Sequence, residues 1–342
     1  MIRITSDLHL HPHQWKASVL PSGRNSRLQS GVDAMLQVVD ASDPGDTLLF
    51  AGDWFDDQAS IPTDALDATR EIVSAIVDKG LHAFFLVGNH DQLSRDGMVH
   101  SIGLLHRPSD KMFVIDEPTI TDGWAFLPFR RPADLPGALA ALDALYHKKY
   151  PSGAKQLPIL CHVDLIGGVA NAGHLSSRGL KLSDFPEWAP IIVSGHYHKH
   201  QVIEDRFVFV GSPYQITAGE AGDTKVWLEF KTPPWEITEM KTVEFTGLPR
   251  FIEMPAPDWQ ELPESERDEL ISSDFVTVVV PHDKRISNLP EGVAQKPLPK
   301  PLSGGRQLSQ NSSTPEALSE WLIRRGRSDL LENGLGFLNA TT

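Results

Sequence analysis

Five short polar clusters in this chain carry residue types able to hold metal ions: Asp7-Leu8-His9, Gly52-Asp53, Gly88-Asn89-His90-Asp91, Cys161-His162 and Gly195-His196-Tyr197-His198. Carboxylate, amide oxygen and imidazole donors suit Mn²⁺, Fe²⁺ or Zn²⁺, and the lack of cysteine ligands argues against a structural zinc. These clusters hold more candidate ligands than one ion takes. They are enough for two ions roughly 3.5 to 4 Å apart that share a bridging carboxylate, an arrangement that activates water at neutral pH and clamps the oxygens of a phosphate. The expected chemistry is hydrolysis of a phosphate ester.

Such a site needs elements that bring distant residues together. Each cluster follows a short apolar run that reads as a buried strand: Ile2–Thr5, Thr47–Ala51, Ala83–Val87, Ile159–Cys161 and Ile191–Val193. In an α/β sheet the crevice beyond the carboxyl ends of the strands is where sites are built, so five strand ends can converge. Between them, Ser26–Val39 and Asp64–Asp78 have helical periodicity, and Lys79-Gly80 reads as a helix end. The resulting β-α-β-α-β order is that of an α/β fold. A further Ala- and Leu-rich helix is expected over Pro136–His147. After Gly195 the pattern changes to short strands at Gln201–Glu204, Phe207–Val210, Lys225–Phe230 and Trp235–Met240, which read as antiparallel.

Near Thr246-Gly247 the composition shifts. Phe251–Met254, a Glu-rich helix over Asp258–Leu270 and Phe275–Val280 suggest a small βαβ unit, giving expected domains at 1–245 and 246–286. Residues 287–313, rich in Pro, Gly, Ser and Gln, read as a flexible linker. The tail 314–342 reads as helical, opened by a Ser313-x-x-Glu316 capping box with Leu318, Trp321 and Leu322 on one face. It fits either a helix folded back on its own domain or a tethered element for a partner.

With 342 residues, 40% of them apolar and 22% charged, the chain has the composition of a globular protein, and no run reaches the roughly 18 to 20 apolar residues of a membrane span. The N-terminus begins a strand without a secretory pattern, so a cytoplasmic location is expected. The one cysteine, Cys161, lies inside an apolar run and reads as a small buried hydrophobe. The formal charge of −14 has the wrong sign for holding nucleic acid by bulk charge alone, leaving local basic pairs such as Arg130-Arg131 and Lys148-Lys149 to meet phosphates.

In order and composition the five clusters resemble the motifs D-x-H, G-D-x-x-D, G-N-H-D, H and G-H-x-H of the calcineurin-like metallophosphoesterases. The resemblance implies an α/β/β/α four-layer sandwich, here followed by a small C-terminal α+β domain and a tethered helix. It further implies that Asp7, His9, Asp53 and His198 hold a first metal, that Asp53 bridges, and that Asn89, His162 and His196 complete a second. His90 would lie beside the scissile phosphate as a catalytic residue, with Asp91 orienting its imidazole. Ser194-Gly195-His196-Tyr197-His198-Lys199, followed by Gly211-Ser212-Pro213-Tyr214-Gln215, is similar to the nuclease subunits of bacterial SbcCD-type and phage recombination complexes. That branch implies two divalent cations, Mn²⁺ before Fe²⁺, Zn²⁺ or Mg²⁺, and DNA exonuclease and endonuclease activity in repair or recombination. Its partners would be an SMC-like coiled-coil ATPase and a second copy of the nuclease, with no membrane. The alternatives are a small-molecule or nucleotide phosphodiesterase on the same site and, in another class, a non-catalytic scaffold. His11, His13, His174 and His200 stay outside the ligand set.

Overall fold

The computed structural model describes residues 1–170, 174–231 and 236–298. One compact unit comprises Met1–Val280 with Arg285–Lys296. Of the other, Pro281–Lys284 and Pro297–Leu298 are described, the former a turn closed by the Lys284 N–H on the Pro281 carbonyl at 3.0 Å. The tail expected at 314–342 and residues 299–313 of the expected linker lie outside the described residues.

The first sheet is built on four parallel strands, β1 (Ile2–Thr5), β2 (Thr47–Phe50), β3 (His82–Leu86) and β4 (Met112–Ile115). Beside β1 lies antiparallel β11 (Val226–Phe230), and beyond that β12 (Lys241–Glu244). The second sheet holds β6 (Trp124–Leu127), β7 (Ile159–His162), β8 (Ile192–Gly195) and β10 (Phe207–Phe209) in parallel, edged by antiparallel β5 (Thr119–Thr121) and β9 (Gln201–Ile203).

Side-chain alternation sorts each strand between two cores, because successive residues point to opposite faces. Leu49, Phe84, Leu160, Val193 and Val208 meet between the sheets, while Leu48, Phe50 and Phe85 face helices α1 (Ser26–Asp40) and α2 (Thr63–Lys79). On the far side Ile159, Cys161, Ile192 and Phe207 face helix α3 (Leu135–Lys149). The architecture is therefore α/β/β/α. Helix α1 presents Leu28, Val32, Met35 and Val39 on its buried face, and Asn25 caps it by accepting the N–H groups of Arg27 and Leu28. Helix α2 ends at Gly80, whose φ of 72° lies in the left-handed region that glycine tolerates.

Two expectations for the later strands change. Strand β10 runs parallel to β8 because β9 crosses to the sheet edge first, and the β9–β10 hairpin then returns the chain between them. Ile237–Glu239 is a 3₁₀ turn and the following strand begins at Lys241; Trp235 lies outside the described residues.

A third sheet contains β13 (Phe251–Pro255), parallel β14 (Phe275–Val280) and β15 (Ala294–Pro297). The helix expected over 258–270 is two helices, α4 (Ala256–Glu261) and α5 (Glu264–Ser273), because Pro263 holds Leu262 in extended backbone. Trp259, Val276, Val278 and Val280 form its core, joined by Leu289 and Val293 from the stretch that reads as linker. This sheet is fastened to the first by the 12–27 segment: the rings of Trp15 and Phe251 stack at 5.3 Å, Lys16 Nζ donates to the Val276 carbonyl, and the Arg27 guanidinium lies 5.2 and 5.1 Å from the rings of Phe251 and Phe275. Among the described residues no helix is long and apolar enough to cross a membrane.

Candidate metal centre

At the strand ends the chain must turn within two or three residues, and it does so through strained backbone. Asp7, His9, Asp53 and His196 have φ of 53°, 45°, 60° and 91°. Such conformations cost non-glycine residues about 1 to 3 kcal/mol each and cluster where function requires a particular side-chain direction. Here they are held by the Asp7 N–H on the Gly52 carbonyl at 2.9 Å, the His9 N–H on the Asp53 carbonyl at 3.1 Å and the His196 N–H on Asp7 Oδ1 at 2.9 Å. The motif glycines make room. A Cβ on Gly88 would lie 2.2 Å from Asp53 Oδ1, and one on Gly52, itself at φ +101°, 2.4 Å from His162 Nδ1.

These turns gather Asp7, His9 and His198 into one group whose ligand atoms lie within 4.8 Å of one another, and Asp53, His162 and His196 into a second on the same criterion. Asn89 joins the second group, its Oδ1 2.8 Å from both His162 Nε2 and His196 Nδ1. Asp53 Oδ2 faces both groups, 3.3 Å from His162 Nε2 and 3.6 Å from His9 Nε2. All seven candidate ligands thus converge, with Asp53 between the two groups.

Hydrogen bonds behind the rings decide what the rings offer in front. His9 Nδ1–H donates to Asp56 Oδ1 at 3.2 Å, His198 Nδ1–H to Glu220 Oε1 at 3.1 Å, His162 Nδ1–H to the Ala51 carbonyl at 2.8 Å and His196 Nε2–H to Asp164 Oδ1 at 3.1 Å. Each outer nitrogen carries the proton, so each inner nitrogen of a neutral ring is a lone pair. Those lone pairs then face other acceptors: His9 Nε2 and His198 Nε2 are 3.2 Å apart, and His162 and His196 both face the Asn89 oxygen. Acceptors brought this close in a buried site require a proton or a cation between them. The donor set of nitrogen and hard oxygen fits two divalent transition-metal ions. Burial pulls the His162 pKa down, but Asp53 outweighs it and raises it to about 9. Burial likewise opposes ionisation of Asp53, yet His162, His9 and His90 hold its carboxyl well below the ordinary range.

His90 stands at the rim, half-buried, its ring 4.7 Å from that of His9 and nearly perpendicular to it. Its Nδ1–H donates to the Asp56 carbonyl at 2.7 Å, and its backbone N–H to Asp53 Oδ1 at 2.8 Å. The expected role of Asp91 is therefore corrected. Its buried carboxylate does not orient the His90 ring but accepts the N–H groups of Asp53, Trp54, Phe55 and Gly88 at 2.9, 3.0, 3.4 and 3.0 Å, because the side chain points beneath the two loops. Burial and the neighbouring Asp53 push its pKa up to about 6.

The polar groups behind the ligands were not singled out from the sequence. Asp164 on His196 and Glu220 on His198 lie outside the five motifs, 32 and 22 residues from the histidines they hold. Only the Asp closing Gly52-Asp53-x-x-Asp56 offered a signal, as part of a motif. Phe129 was also missed; its ring lies 6.2 and 6.4 Å from those of His162 and His196 and walls the second group. Among the residues held back, His200 donates to the Phe209 carbonyl at 3.0 Å, a structural role. His11 and His13 pair with each other at 5.1 Å, and burial lowers the His13 pKa to about 4. Cys161 is a buried thiol pushed up to about 12 by burial, with no part in the centre.

Two facing, mostly parallel sheets between helices, with paired His/Asp groups at one set of strand ends, define a metal-dependent phosphoesterase fold. The family model for calcineurin-like phosphoesterases matches residues 1–200, and the chain belongs to that family. Among characterised proteins it is similar to a subunit of nuclease SbcCD from Escherichia coli K12, 27% identical over 272 residues that cover 65% of this chain and 62% of that protein. It is also similar to an exonuclease subunit of Enterobacteria phage T4, 28% identical over 220 residues, 59% of this chain and 58% of that protein. The match thus spans less than two thirds of the length of these relatives.

Proposed function

We propose that this chain is a two-metal phosphodiesterase and, within that class, a DNA exonuclease and endonuclease subunit working in repair or recombination with an SMC-like ATPase. The observation that carries the reading is the set of four imidazoles whose outer nitrogens are occupied and whose inner lone pairs meet Asp7, Asp53 and Asn89. Asp7, His9, Asp53 and His198 would hold one cation; Asn89, His162 and His196, with Asp53 shared, would hold the other, and Mn²⁺ is the favoured ion. When bound, such a pair supplies charge neutralisation at the phosphate and a water of lowered pKa.

The chain's own contribution centres on His90. With Nδ1–H given to the Asp56 carbonyl, Nε2 is the atom that meets substrate. Protonated there, the ring can hydrogen-bond a phosphoryl oxygen or give its proton to the leaving oxygen. Asp53 Oδ1, on the His90 backbone, keeps that ring in register with the metal groups.

The names of the relatives, each a subunit of a nuclease or exonuclease, support a nucleic-acid substrate and a partner chain. On this reading residues 246–286 form a cap facing DNA, 314–342 dock the ATPase, the nuclease pairs with a second copy, and the complex is cytoplasmic. One observation favours a second reading, a small-molecule or nucleotide phosphodiesterase: the net charge of −14. Incubation with end-labelled linear DNA and Mn²⁺, beside a small chromogenic diester, separates the two. Manganese-dependent DNA degradation is expected; turnover of the small diester with DNA untouched, even when the ATPase is added, would favour the second reading.

A further inference from the structure

Behind His198 lies a buried ion pair that the phosphoesterase chemistry does not itself call for. Lys225 Nζ sits 2.6 Å from Glu220 Oε2, the two side chains 7% and 2% exposed. Every ammonium proton has a partner: Glu220 Oε2, Ser212 Oγ at 2.9 Å and the backbone carbonyl of His198 at 2.9 Å. Glu220 is equally committed. Its Oε1 accepts His198 Nδ1–H at 3.1 Å, the Thr217 N–H at 3.1 Å and the Thr217 hydroxyl at 3.2 Å, and its Oε2 also accepts the Ser212 hydroxyl at 2.9 Å and the Ile216 N–H at 3.3 Å.

Removing two charges from water is costly, and well-packed apolar residues of similar volume often serve stability as well or better. What an apolar pair cannot do is grip one residue from two sides. Glu220 takes the ring of His198 and Lys225 takes its carbonyl, fixing both the rotation and the position of a side chain whose Nε2 faces His9 Nε2 at 3.2 Å.

We propose that Glu220 is a positioning residue for His198: it sets the Nδ1–H tautomer and ring orientation so that Nε2 presents its lone pair to a divalent cation shared with Asp7 and His9. The proposal rests on the two-metal reading above. It does not require Glu220 to touch the ion or the substrate.

The test uses the full chain and two double variants that remove both charges together, so that neither leaves an unpaired buried ion. Glu220→Gln with Lys225→Met keeps an oxygen acceptor for His198 Nδ1–H. Glu220→Met with Lys225→Met has nearly the same shape and no such acceptor. Calorimetric titration with Mn²⁺ reads affinity, thermal unfolding of the metal-free protein reads packing, and the ¹⁵N shifts of His198 in the metal-free protein read its tautomer. The Gln variant is expected to keep the Nδ1–H tautomer and to bind both ions within about threefold of the unaltered chain. The Met variant is expected to lose the fixed tautomer and to weaken one of the two sites by about 10- to 100-fold while the other holds, the scale on which such supporting hydrogen bonds act. Equal affinities and an unchanged His198 tautomer in both variants overturn the proposal and leave the two-metal reading standing. No Mn²⁺ uptake by the unaltered chain removes the two-metal reading and the proposal with it, a result the variants cannot mimic. Should the Met variant fail to fold, the Gln variant decides: loss of the Nδ1–H tautomer there, with folding intact, overturns the proposal.

Discussion

Asp53 does two things with two oxygens. Oδ1 accepts the His90 N–H at 2.8 Å, and Oδ2 faces both ligand groups, so one side chain sets His90 against the two groups. Asp53→Asn keeps the shape and loses the bridging charge; calorimetry with Mn²⁺ is expected to show both sites weakened by roughly 10- to 100-fold, and diester turnover to fall by at least the same factor. Normal binding in that variant would remove Asp53 from the centre. His90→Ala is expected to behave differently, leaving Mn²⁺ occupancy intact while turnover drops by about 10²-fold or more, the scale of a lost acid or charge stabiliser. Metal loss in His90→Ala would make the ring a ligand instead. At this scale the motifs were legible because the residues that would touch metal recur in fixed local patterns. The role of Asp91 was not: it follows His90 directly in the chain, and only the fold shows the side chain turned inward onto other loops.

Between the elements, the turns after β2 and β3 have no regular secondary structure to satisfy their backbone, and Asp91 serves in its place. Its carboxylate collects four N–H donors from those two turns in a site closed to water. Buried donors left without an acceptor are costly, so Asp91→Ala is expected to lower stability by about 3 to 5 kcal/mol, seen as a large drop in Tm. If Tm hardly moves while activity vanishes, Asp91 belongs to the chemistry after all. Helices α1 and α2 and the strands that lead into the motifs were readable, because burial imposes a pattern that local sequence displays; α3 showed only as an Ala- and Leu-rich stretch, and β4, β5, β6 and β15 went unread. The direction of β10 was not readable, since a hairpin and a crossover strand look alike in a run of three residues. The break between α4 and α5 was missed where one proline, Pro263, outweighs an otherwise helical composition.

Across the molecule, the small sheet is held to the first sheet by a cation that has no carboxylate hydrogen-bond partner among the described residues. Arg27, 2% exposed, lies over Phe251 and Phe275 and donates to the carbonyls of Trp15 and Ile216. Arg27→Met is expected to cost about 2 to 4 kcal/mol, from two cation–π contacts and two unsatisfied carbonyls. Amides of β13 and β14 should exchange faster while those of β1 to β3 stay protected; uniform loss of protection would mean that the two sheets unfold as one. Strand β15 belongs to the small sheet, so the truncation that isolates the tail removes residues 299–342 and leaves the first part of the segment that reads as linker in place. That truncation is expected to spare hydrolysis of a small diester and to abolish co-purification with an ATPase partner; association that survives it would contradict the docking role.

What the amino-acid sequence determined by itself was the α/β class, the family resemblance and the inventory of groups able to bind metal, since each is written in short segments whose chemistry does not depend on distant neighbours. Tertiary structure alone decided which nitrogen of each histidine faces inward, which carboxylate lies between the two groups and which residues stand behind them. A tautomer is chosen by the acceptor on the far side of the ring, and here those acceptors are Asp56, Ala51, Asp164 and Glu220, brought from loops and strand ends by the packing of two sheets.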